Sequence, residues 1–300
     1  MSSLVATRHA PLPGILCMVA GSACLTLNDA LMKWLTPHYP IGELVFLRGV
    51  MALCLIVGVA WLGGRARQLR VRSVRIQLLR GGVMMVSAMM FITGLRYLPL
   101  AEAVAIAFTG PLFITAMASP LLGERVGWRR WTAVLMGFAG VLVMLRPGGV
   151  SWTWAALLPL GASLGAAIRD IITRRASASE YSLATLAFST AMVSTAGLST
   201  WLVMDWRVPD LRDLGLLAGA AVFLGSAHFL LIEAFRFAEA AMVAPFKYSS
   251  LLWGLVLGFV VWGEWPDGWT LAGAGLVVTS GLYIWWRERR GAQRSRRRSM

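Results

Sequence analysis

Residues 96–124 read RYLPLAEAVAIAFTGPLFITAMASPLLGE, and residues 236–264 read RFAEAAMVAPFKYSSLLWGLVLGFVVWGE. The two stretches align without a gap at a spacing of 140 positions. Each begins with an arginine, continues through an apolar run, and ends in Gly-Glu, at Gly123-Glu124 and Gly263-Glu264. Similarity at one fixed spacing predicts that the chain is built from two structural repeats.

The repeat extends upstream, where Asn28-Asp29 … Lys33 recurs as Arg169-Asp170 … Arg174 at a spacing of 141 positions. Each copy contains about five apolar segments, and because five is odd, the two copies would cross a membrane in opposite directions. Inverted repeats of this kind are typical of secondary transporters, whose substrate site lies between the repeats near the middle of the bilayer.

The composition excludes an ordinary soluble protein. The 300 residues are 58% hydrophobic and 14% charged, with a mean hydropathy of +0.68, whereas soluble domains carry about 25% charged residues. The net charge of +14 lies mostly in short loops and the C-terminal tail. This distribution of positive charge predicts the orientation of the chain in the membrane and contact of the tail with anionic lipid headgroups. It does not predict nucleic-acid binding. Cys17, Cys24 and Cys54 all lie in apolar segments and predict no disulfide framework, metal site or cofactor.

Ten segments are apolar and close to the length of about 20 residues that crosses the hydrocarbon as a helix. They are Gly14–Leu35, Ile41–Leu62, Leu78–Tyr97, Leu100–Leu122, Trp131–Leu145, Trp152–Thr173, Leu183–Met204, Leu214–Phe235, Ala240–Trp262 and Trp269–Trp286. The sequence thus predicts an all-α polytopic membrane protein of two inverted five-helix repeats. The repeats are predicted to cover residues 1–147 and 148–290, and residues 291–300 form a basic cytoplasmic tail.

The arginine distribution predicts the orientation in the membrane. With a cytoplasmic N-terminus, nineteen arginines fall in inner segments, and four fall in outer segments: Arg96, Arg146, Arg207 and Arg212. Positive residues are enriched on the cytoplasmic side. We therefore expect both termini in the cytoplasm of a bacterium and the spans in its inner membrane.

Polar and charged residues within the predicted spans are costly in hydrocarbon, so they mark candidate functional positions. The candidate substrate-binding residues are Asn28, Asp29, Arg48, Glu102, Thr109, Arg169, Asp170, His228, Lys247 and Tyr248. A structural alternative stays open for two pairs. Asp29 with Lys33, and Asp170 with Arg174, are four residues apart and could neutralise each other on one helix face.

Two further positions have alternative roles. Arg48 lies several residues into the second predicted span, and Glu43 and Glu102 lie near the same outer side, where either could pair with it. His228 lies within the eighth predicted span. It is a candidate either for hydrogen-bonded packing or for a proton relay, because histidine titrates near neutral pH.

Two corresponding spans carry helix-breaking residues. Thr109-Gly110-Pro111 interrupts the fourth predicted span, and Pro245 opens its repeat partner, the ninth, shortly before Lys247 and Tyr248. Proline removes a helical hydrogen bond and kinks the chain. Interrupted helices at matching positions of two repeats indicate a transporter binding site, with Lys247 projecting into the bundle.

Enzymatic alternatives are weak in this sequence. Gly161-Ala162-Ser163-Leu164-Gly165 matches a serine-hydrolase string, but it lies in a Gly/Ala/Ser-rich span without the strand-turn-helix context. No Walker motif supports ATP-driven transport. The chain is therefore not predicted to be an enzyme. A passive channel stays an alternative, and saturable transport with counterflow would exclude it.

Several motifs together resemble the EamA repeat of the drug/metabolite transporter superfamily, and the likeness covers nearly the whole chain. They are Phe46-Leu47-Arg48, Arg80-Gly81, Gly94-Leu95-Arg96-Tyr97-Leu98-Pro99-Leu100-Ala101-Glu102-Ala103, Gly110-Pro111-Leu112-Phe113, Gly123-Glu124-Arg125, Gly137-Phe138-Ala139-Gly140-Val141 and Arg146-Pro147. The second copy departs from this pattern: Leu251 stands where the first has Pro111, and Trp265 follows Gly263-Glu264 where the first copy has arginine.

The resemblance implies ten helices, a central cavity between the halves lined mainly by helices one, three, four, six, eight and nine, and alternating access. Family members carry amino acids, nucleotide sugars, riboflavin, S-adenosylmethionine and other metabolites, so the fold does not identify the cargo.

Charges within the predicted spans are balanced, five of each sign. This balance favours a zwitterionic or carboxylate-bearing solute, such as an amino acid derivative, over a simple cation. Protons are a candidate coupling ion through Asp29, Glu102 or His228. The sequence does not predict the oligomeric state.

Overall fold

The computed structural model describes residues 11–122, 128–145, 153–175, 181–237 and 243–298. Several predicted features lie outside the described residues. They are Arg8 and Arg146 of the arginine count, the loop around Glu124 and Arg125, the first residues of the ninth span, and the last two residues of the tail.

The described residues form eleven α-helices. Their bounds are Pro11–Leu35 (α1), Ile41–Leu62 (α2), Val74–Tyr97 (α3), Leu100–Ala107 (α4), Gly110–Leu122 (α5), Trp128–Leu145 (α6), Leu157–Arg175 (α7), Ser182–Ser199 (α8), Leu211–Phe237 (α9), Ser249–Trp262 (α10) and Gly268–Arg298 (α11). Short 3-10 helices cover Ala66–Leu69, Trp154–Ala156, Thr200–Leu202 and Ala244–Tyr248.

These helices confirm the predicted polytopic membrane fold. Counting α4 and α5 as one interrupted span, they form ten spans. Seven candidate spans in the described part of the chain are long and apolar enough to cross a membrane, and two shorter apolar helices cover Trp131–Met144 and Phe246–Trp262. Several boundaries differ from the prediction: α3 begins at Val74, four residues before the predicted start, α8 ends at Ser199 before the predicted Met204, and α11 continues to Arg298 through most of the basic tail.

The predicted interruption of the fourth span is confirmed. α4 ends at Ala107 and α5 begins at Gly110, so the helix breaks beside Pro111. A proline lacks the N–H that continues a helix and clashes with the preceding turn. In the ninth span, the 3-10 helix Ala244–Tyr248 precedes α10. Irregular backbone therefore occurs at corresponding places in the two repeats.

The helices pair across the repeats in a pattern that a two-fold axis would produce. α1 of the first repeat packs on α9 of the second, and the corresponding helices α7 and α3 pack on each other. Three further pairs join each helix to its own counterpart: α2 to α8, α4 to α10, and α6 to α11. The centre of the molecule is therefore an interface between repeats, as expected for a transporter built from inverted copies.

Small residues bring several of these pairs close together. A Cβ atom on Gly140 of α6 would lie 2.7 Å from the carbonyl oxygen of Gly273 in α11, closer than real Cβ contacts. Gly161 of α7 faces Met90 of α3 in the same way. Close backbone approach at small residues is the usual way that membrane helices associate, because lipid gives no hydrophobic drive. These glycines serve packing within one chain.

Candidate functional site

The end of the bundle where α1 finishes is closed by a charged cluster that joins the two repeats. Lys33 of α1 donates to the carbonyl oxygen of Leu98 at 2.7 Å and to Glu264 Oε1 at 2.5 Å. The second oxygen of Glu264 accepts from the backbone N–H of Leu100 at 3.0 Å. Lys33 also lies over the ring of Trp262, 4.9 Å from its centroid, a cation–π contact. One buried ammonium is thus satisfied by groups from both repeats.

More contacts between repeats lie at the same end. Tyr39 donates to Asp213 Oδ2 at 2.7 Å. This hydrogen bond, with smaller contributions from burial and the Asp213 charge, raises the pKa of Tyr39. Glu43 of α2, 2% exposed, accepts from the backbone N–H of Arg207 at 3.0 Å. Phe46 stacks obliquely on Trp206 with centroids 5.5 Å apart. This end of the bundle is therefore tied together by polar and aromatic contacts.

Deeper in the bundle, Asn28 bridges Asp29 and Arg48. Its Nδ2 donates to Asp29 Oδ1 at 2.9 Å, and its Oδ1 accepts from Arg48 Nη1 at 3.0 Å. Asn28 is 2% exposed and Arg48 is 8% exposed. The Nε–H of Arg48 is buried without a hydrogen-bond partner among the described residues. α1 and α2 therefore present a carboxylate and an incompletely satisfied guanidinium beside each other.

A second charged group is centred on α7. Arg169 forms an ion pair with Asp170, with Nε and Nη2 at 2.9 and 2.8 Å from Asp170 Oδ1. The charges of both residues also act on Arg80 of α3 and on Lys247, which immediately precedes α10. Arg80 donates to Ser189 Oγ of α8 at 2.9 Å. Four structural elements from both repeats thus contribute to one electrostatic cluster.

This second group is partly exposed although its members lie within spans. The side chains of Arg169 and Asp170 are 28% and 44% exposed, and Lys247 is exposed as well. Charged side chains within spans ordinarily face the bundle interior or an aqueous cavity, because exposure to hydrocarbon is costly. Partial exposure of these three residues is the arrangement expected of charges that face an aqueous cavity.

His228 of α9 connects the two groups electrostatically. The charges of Arg169, Arg48 and Arg80 all act on its ring. Its Nδ1 lies 2.8 Å from the carbonyl oxygen of Leu224. Because a carbonyl only accepts, Nδ1 must carry the proton in this hydrogen bond, which leaves Nε2 able to bind a proton or a ligand.

The interrupted spans bring two further pairs together. Phe108, at the break of the fourth span, stacks on Tyr248 with centroids 4.7 Å apart and an interplanar angle of 29°. Thr109 Oγ1 lies 2.6 Å from Ser163 Oγ of α7. The Ser163 hydroxyl also donates to the carbonyl oxygen of Leu160 at 2.8 Å. Its hydrogen bonds therefore serve packing, and in the described contacts it makes no Ser–His pair.

The structure brings together most of the candidate residues predicted from the sequence. Those linked by hydrogen bonds or mutual electrostatics are Asn28, Asp29, Arg48, Arg169, Asp170, His228 and Lys247. Thr109 and Tyr248 lie at the interrupted spans. Glu102 does not join this set: its charge acts on Lys33 in the closed end of the bundle.

Two ion pairs that the sequence left open as alternatives are not formed in the described contacts. Lys33 binds Glu264 instead of Asp29, and Glu43 binds the backbone at Arg207 instead of Arg48. Asp170 pairs with its neighbour Arg169, and the side chain of Arg174 lies outside the described residues. Lys33 and Glu43 are thus each bound by a group from the other repeat.

Several contributing residues were not among the sequence candidates. In the sequence, Glu264 is the last residue of the repeated Gly-Glu motif. The recurrence of this motif at a spacing of 140 positions is the signal that could have identified Glu264. Phe108 and Ser189 carry no distinctive pattern in the sequence. Their contacts with Tyr248 and Arg80 arise from helix packing across the repeats.

The comparison with protein families agrees with this architecture. The EamA-like transporter family matches the chain twice, over residues 12–146 and 153–286. These two matches cover most of the sequence, and the chain belongs to the EamA-like transporter family.

Curated relatives are similar over nearly their whole length. The S-adenosylmethionine uptake transporter of Rickettsia bellii (strain RML369-C) is 28% identical over 92% of this chain and 93% of its own. The riboflavin transporter of Vibrio cholerae is 26% identical over 96% and 98%. The pseudopaline exporter of Pseudomonas aeruginosa is 26% identical over 89% and 94%.

Among solved structures, one crystal structure aligns with a TM-score of 0.65 and 20% sequence identity. The alignment covers 92% of this chain and 98% of the other. At this identity the likeness supports the fold alone.

Proposed function

We propose that this chain is a secondary carrier for a small amphoteric metabolite that bears at least one carboxylate. The cargo binds between the repeats, and the protein exposes this site alternately to the two sides of the membrane. The family supports transport of a small molecule. The charged cluster between the repeats supports the chemistry of the cargo.

The observation that carries the proposal is the position of Arg169. Its positive charge acts on Arg80, His228 and Lys247, which belong to three other elements. Asp170 forms a direct ion pair with Arg169. Cationic groups held this close in a partly desolvated space repel one another, so a bound anion would be stabilised strongly.

The charge balance at the centre differs from the count over all spans. Four cationic side chains (Arg48, Arg80, Arg169 and Lys247) and two carboxylates (Asp29 and Asp170) belong to the central groups. Lys33 and its acidic partners occupy the closed end instead. The central groups are therefore net positive, which favours a carboxylate-bearing solute. The two carboxylates supply sites for an amine on the same solute.

The relatives support a metabolite of this size. Their printed cargoes are S-adenosylmethionine, riboflavin and pseudopaline. S-adenosylmethionine combines a carboxylate with positive charge, which is the kind of amphoteric solute that the central charges accommodate. The riboflavin and pseudopaline carriers have similar identity, so each of the three cargoes is a reasonable first probe.

Alternating access is supported by the contrast between the two ends of the cluster. At one end, Lys33 is 7% exposed and joins both repeats. Toward the other, Asp170 and Lys247 are exposed within the bundle. During its cycle, a carrier must open the end that is closed and close the end that is open. Cargo binding shifts the equilibrium between these two states only if the cargo binds one of them more tightly than the other.

The membrane context is part of the same proposal. Both termini lie in the cytoplasm of a bacterium, the spans lie in its inner membrane, and the basic end of α11 rests on anionic lipid headgroups. The arginine distribution supports this orientation. Protons are the proposed coupling ion. No enzymatic activity belongs to the proposal.

The test is uptake into proteoliposomes containing the purified chain. S-adenosylmethionine, riboflavin, and acidic and neutral amino acids serve as probes. Saturable uptake of at least one carboxylate-bearing probe is expected, and Arg169→Ala should lower it by about tenfold or more, the loss typical of one charge-assisted contact. Arg207→Ala is the matched control, because Arg207 is exposed and uses only its backbone N–H at the closed end. Uptake equal for both variants would contradict the proposal.

A further inference from the structure

The buried group formed by Asn28, Asp29 and Arg48 lies apart from the Arg169 ion pair and has its own unused binding capacity. We propose that it binds the α-amino-carboxylate head of the cargo, with the carboxylate on Arg48 and the ammonium on Asp29. This inference rests on the proposed carrier function and specifies the cargo class as amino acids or conjugates that keep a free amino acid head.

The guanidinium of Arg48 has hydrogen-bond donors available to bind a carboxylate. Asn28 occupies only Nη1, and the buried Nε–H has no hydrogen-bond partner in the part of the chain that the structure describes. A guanidinium presents its donors in a planar fork that binds carboxylates through two parallel hydrogen bonds. A buried donor left without a partner is unfavourable, so a ligand or water that accepts from Nε would be stabilised there.

Asp29 supplies the complementary half of the site. Its carboxylate accepts from Asn28 Nδ2 in the described contacts, whereas an ionised carboxylate has about four acceptor positions. An ammonium group brings three donors. Asp29 and Arg48 act on each other electrostatically, yet Asn28 stands between them and makes the hydrogen bonds to both. Neither charge is therefore fully used by the other.

Asn28 determines the geometry of this subsite. As a bridge, it orients Asp29 through its amide N–H and Arg48 through its amide oxygen. An α-amino acid carries its ammonium and carboxylate on one carbon atom, so it can contact two such neighbouring groups at once. Solutes that lack either group can contact only one of them. The site therefore selects for the intact head group.

The remainder of the cargo would extend toward the net positive group. The charges of Arg48 and Arg169 both act on His228 of α9, which relates the two charged groups electrostatically. A cargo held by its head at Arg48 could place a second polar or anionic group near Arg169 and Lys247. Discrimination between amino acid cargoes would then come from this second contact.

The experiment measures binding of matched solutes to the purified full-length chain by thermal stabilisation and competition. S-adenosylhomocysteine is compared with 5′-methylthioadenosine, which lacks the amino acid head. Glutamate is compared with 4-aminobutyrate and N-acetylglutamate, which lack the α-carboxylate and the free amine. We expect the member with the intact head to bind at least about tenfold more tightly in one or both sets, a difference worth about one charge-assisted contact.

Two conservative variants assign the contacts. Arg48→Lys keeps a positive charge but loses the fork, and it should reduce the preference for the α-carboxylate about tenfold. Asp29→Asn should remove the preference for the free amine over the N-acetyl form. Arg96→Lys, at an exposed position, is the matched control. The melting temperature of each variant without ligand, together with its binding of any headless solute, separates misfolding from a lost contact.

The outcomes distinguish this inference from the carrier function. Equal binding with and without the head, no binding of any solute that carries it, or an unchanged preference in Arg48→Lys would overturn the head-group assignment. Saturable transport of riboflavin alone, insensitive to Arg48→Lys, would also overturn it while leaving a carrier. Absence of saturable transport for every probe would instead contradict the carrier function.

Discussion

Lys33, at the end of α1, donates to Glu264, which follows α10 and lies 231 positions later in the chain. The pair also engages the carbonyl of Leu98 and the N–H of Leu100, which belong to the turn that opens the fourth span. Gly263, with a φ of 67°, ends α10 in the left-handed conformation and directs the chain back so that Glu264 can reach Lys33. The contact therefore holds three spans from two repeats together.

Glu264→Gln should weaken the closure of this end. The amide keeps the shape of the carboxylate but loses the charge that neutralises the buried Lys33 ammonium, and breaking a buried ion pair from one side is destabilising. We expect faster reaction of Ala101→Cys, which follows Leu100 of the cluster in the chain, with a membrane-impermeant maleimide. Cys17, Cys24 and Cys54 are replaced first, so that only the introduced thiol reacts.

A substitution that keeps the charge is the control for this variant. Glu264→Asp retains a carboxylate that can accept from Lys33 and from the Leu100 N–H, and its labelling rate should stay closer to that of the parent. Labelling that is the same in Glu264→Gln and the parent would show that the pair does not close the bundle.

Tyr248 should act through its ring. Tyr248→Phe keeps the stacking on Phe108, whereas Tyr248→Ala removes a contact worth about 0.5–1.5 kcal/mol beyond simple burial. We expect transport close to that of the parent for the phenylalanine variant and clearly reduced transport for the alanine variant. Equal loss in both variants would assign the role to the hydroxyl group instead.

Gly140 should not tolerate a larger side chain. Its Cβ position is 2.7 Å from the carbonyl oxygen of Gly273 and 2.8 Å from Leu276 Cβ, so Gly140→Val forces α6 and α11 apart. Overpacking of this kind costs about 1–3 kcal/mol. Thermal unfolding in detergent should show a lower melting temperature than for Gly275→Val, a position in the same helix pair with nothing within 4 Å. Equal melting temperatures would contradict the close packing.

Proton coupling is tested most directly by a substitution of Asp29. Asp29→Asn keeps the shape and the neighbouring amide but cannot bind a proton. We expect it to abolish accumulation driven by an imposed pH gradient, while exchange at saturating cargo concentration persists. If the direction of the gradient has no effect on the parent protein, proton coupling fails, and the Asp29→Asn comparison then reports cargo binding alone.

The fold could be predicted from the sequence to a large extent. The spacing of the repeat, the apolar segments and the helix-breaking Thr109-Gly110-Pro111 each reflect local physical constraints, and the structure agrees with them. Local sequence does not determine where the basic end stops being helical, so α11 extends beyond the predicted end of the tenth span.

The site was less predictable, because its partners are chosen by packing. Asp29 and Lys33 share a helix face by spacing, yet Lys33 reaches Glu264 and Asp29 contacts Asn28. The sequence could identify which charges lie within the spans, but not which end of the bundle each occupies. The balanced count of charges over all spans therefore concealed a central cluster that is net positive.

Solute counterflow in proteoliposomes tests the central claim most directly. Vesicles containing the purified chain are loaded with an unlabelled amino acid cargo identified by binding, and trace labelled cargo is added outside. A carrier with one alternating site should accumulate label transiently above equilibrium, and Arg169→Ala should abolish this overshoot while Arg207→Ala retains it. Label that only approaches equilibrium, without an overshoot in the parent protein, would contradict alternating access and indicate a passive pathway.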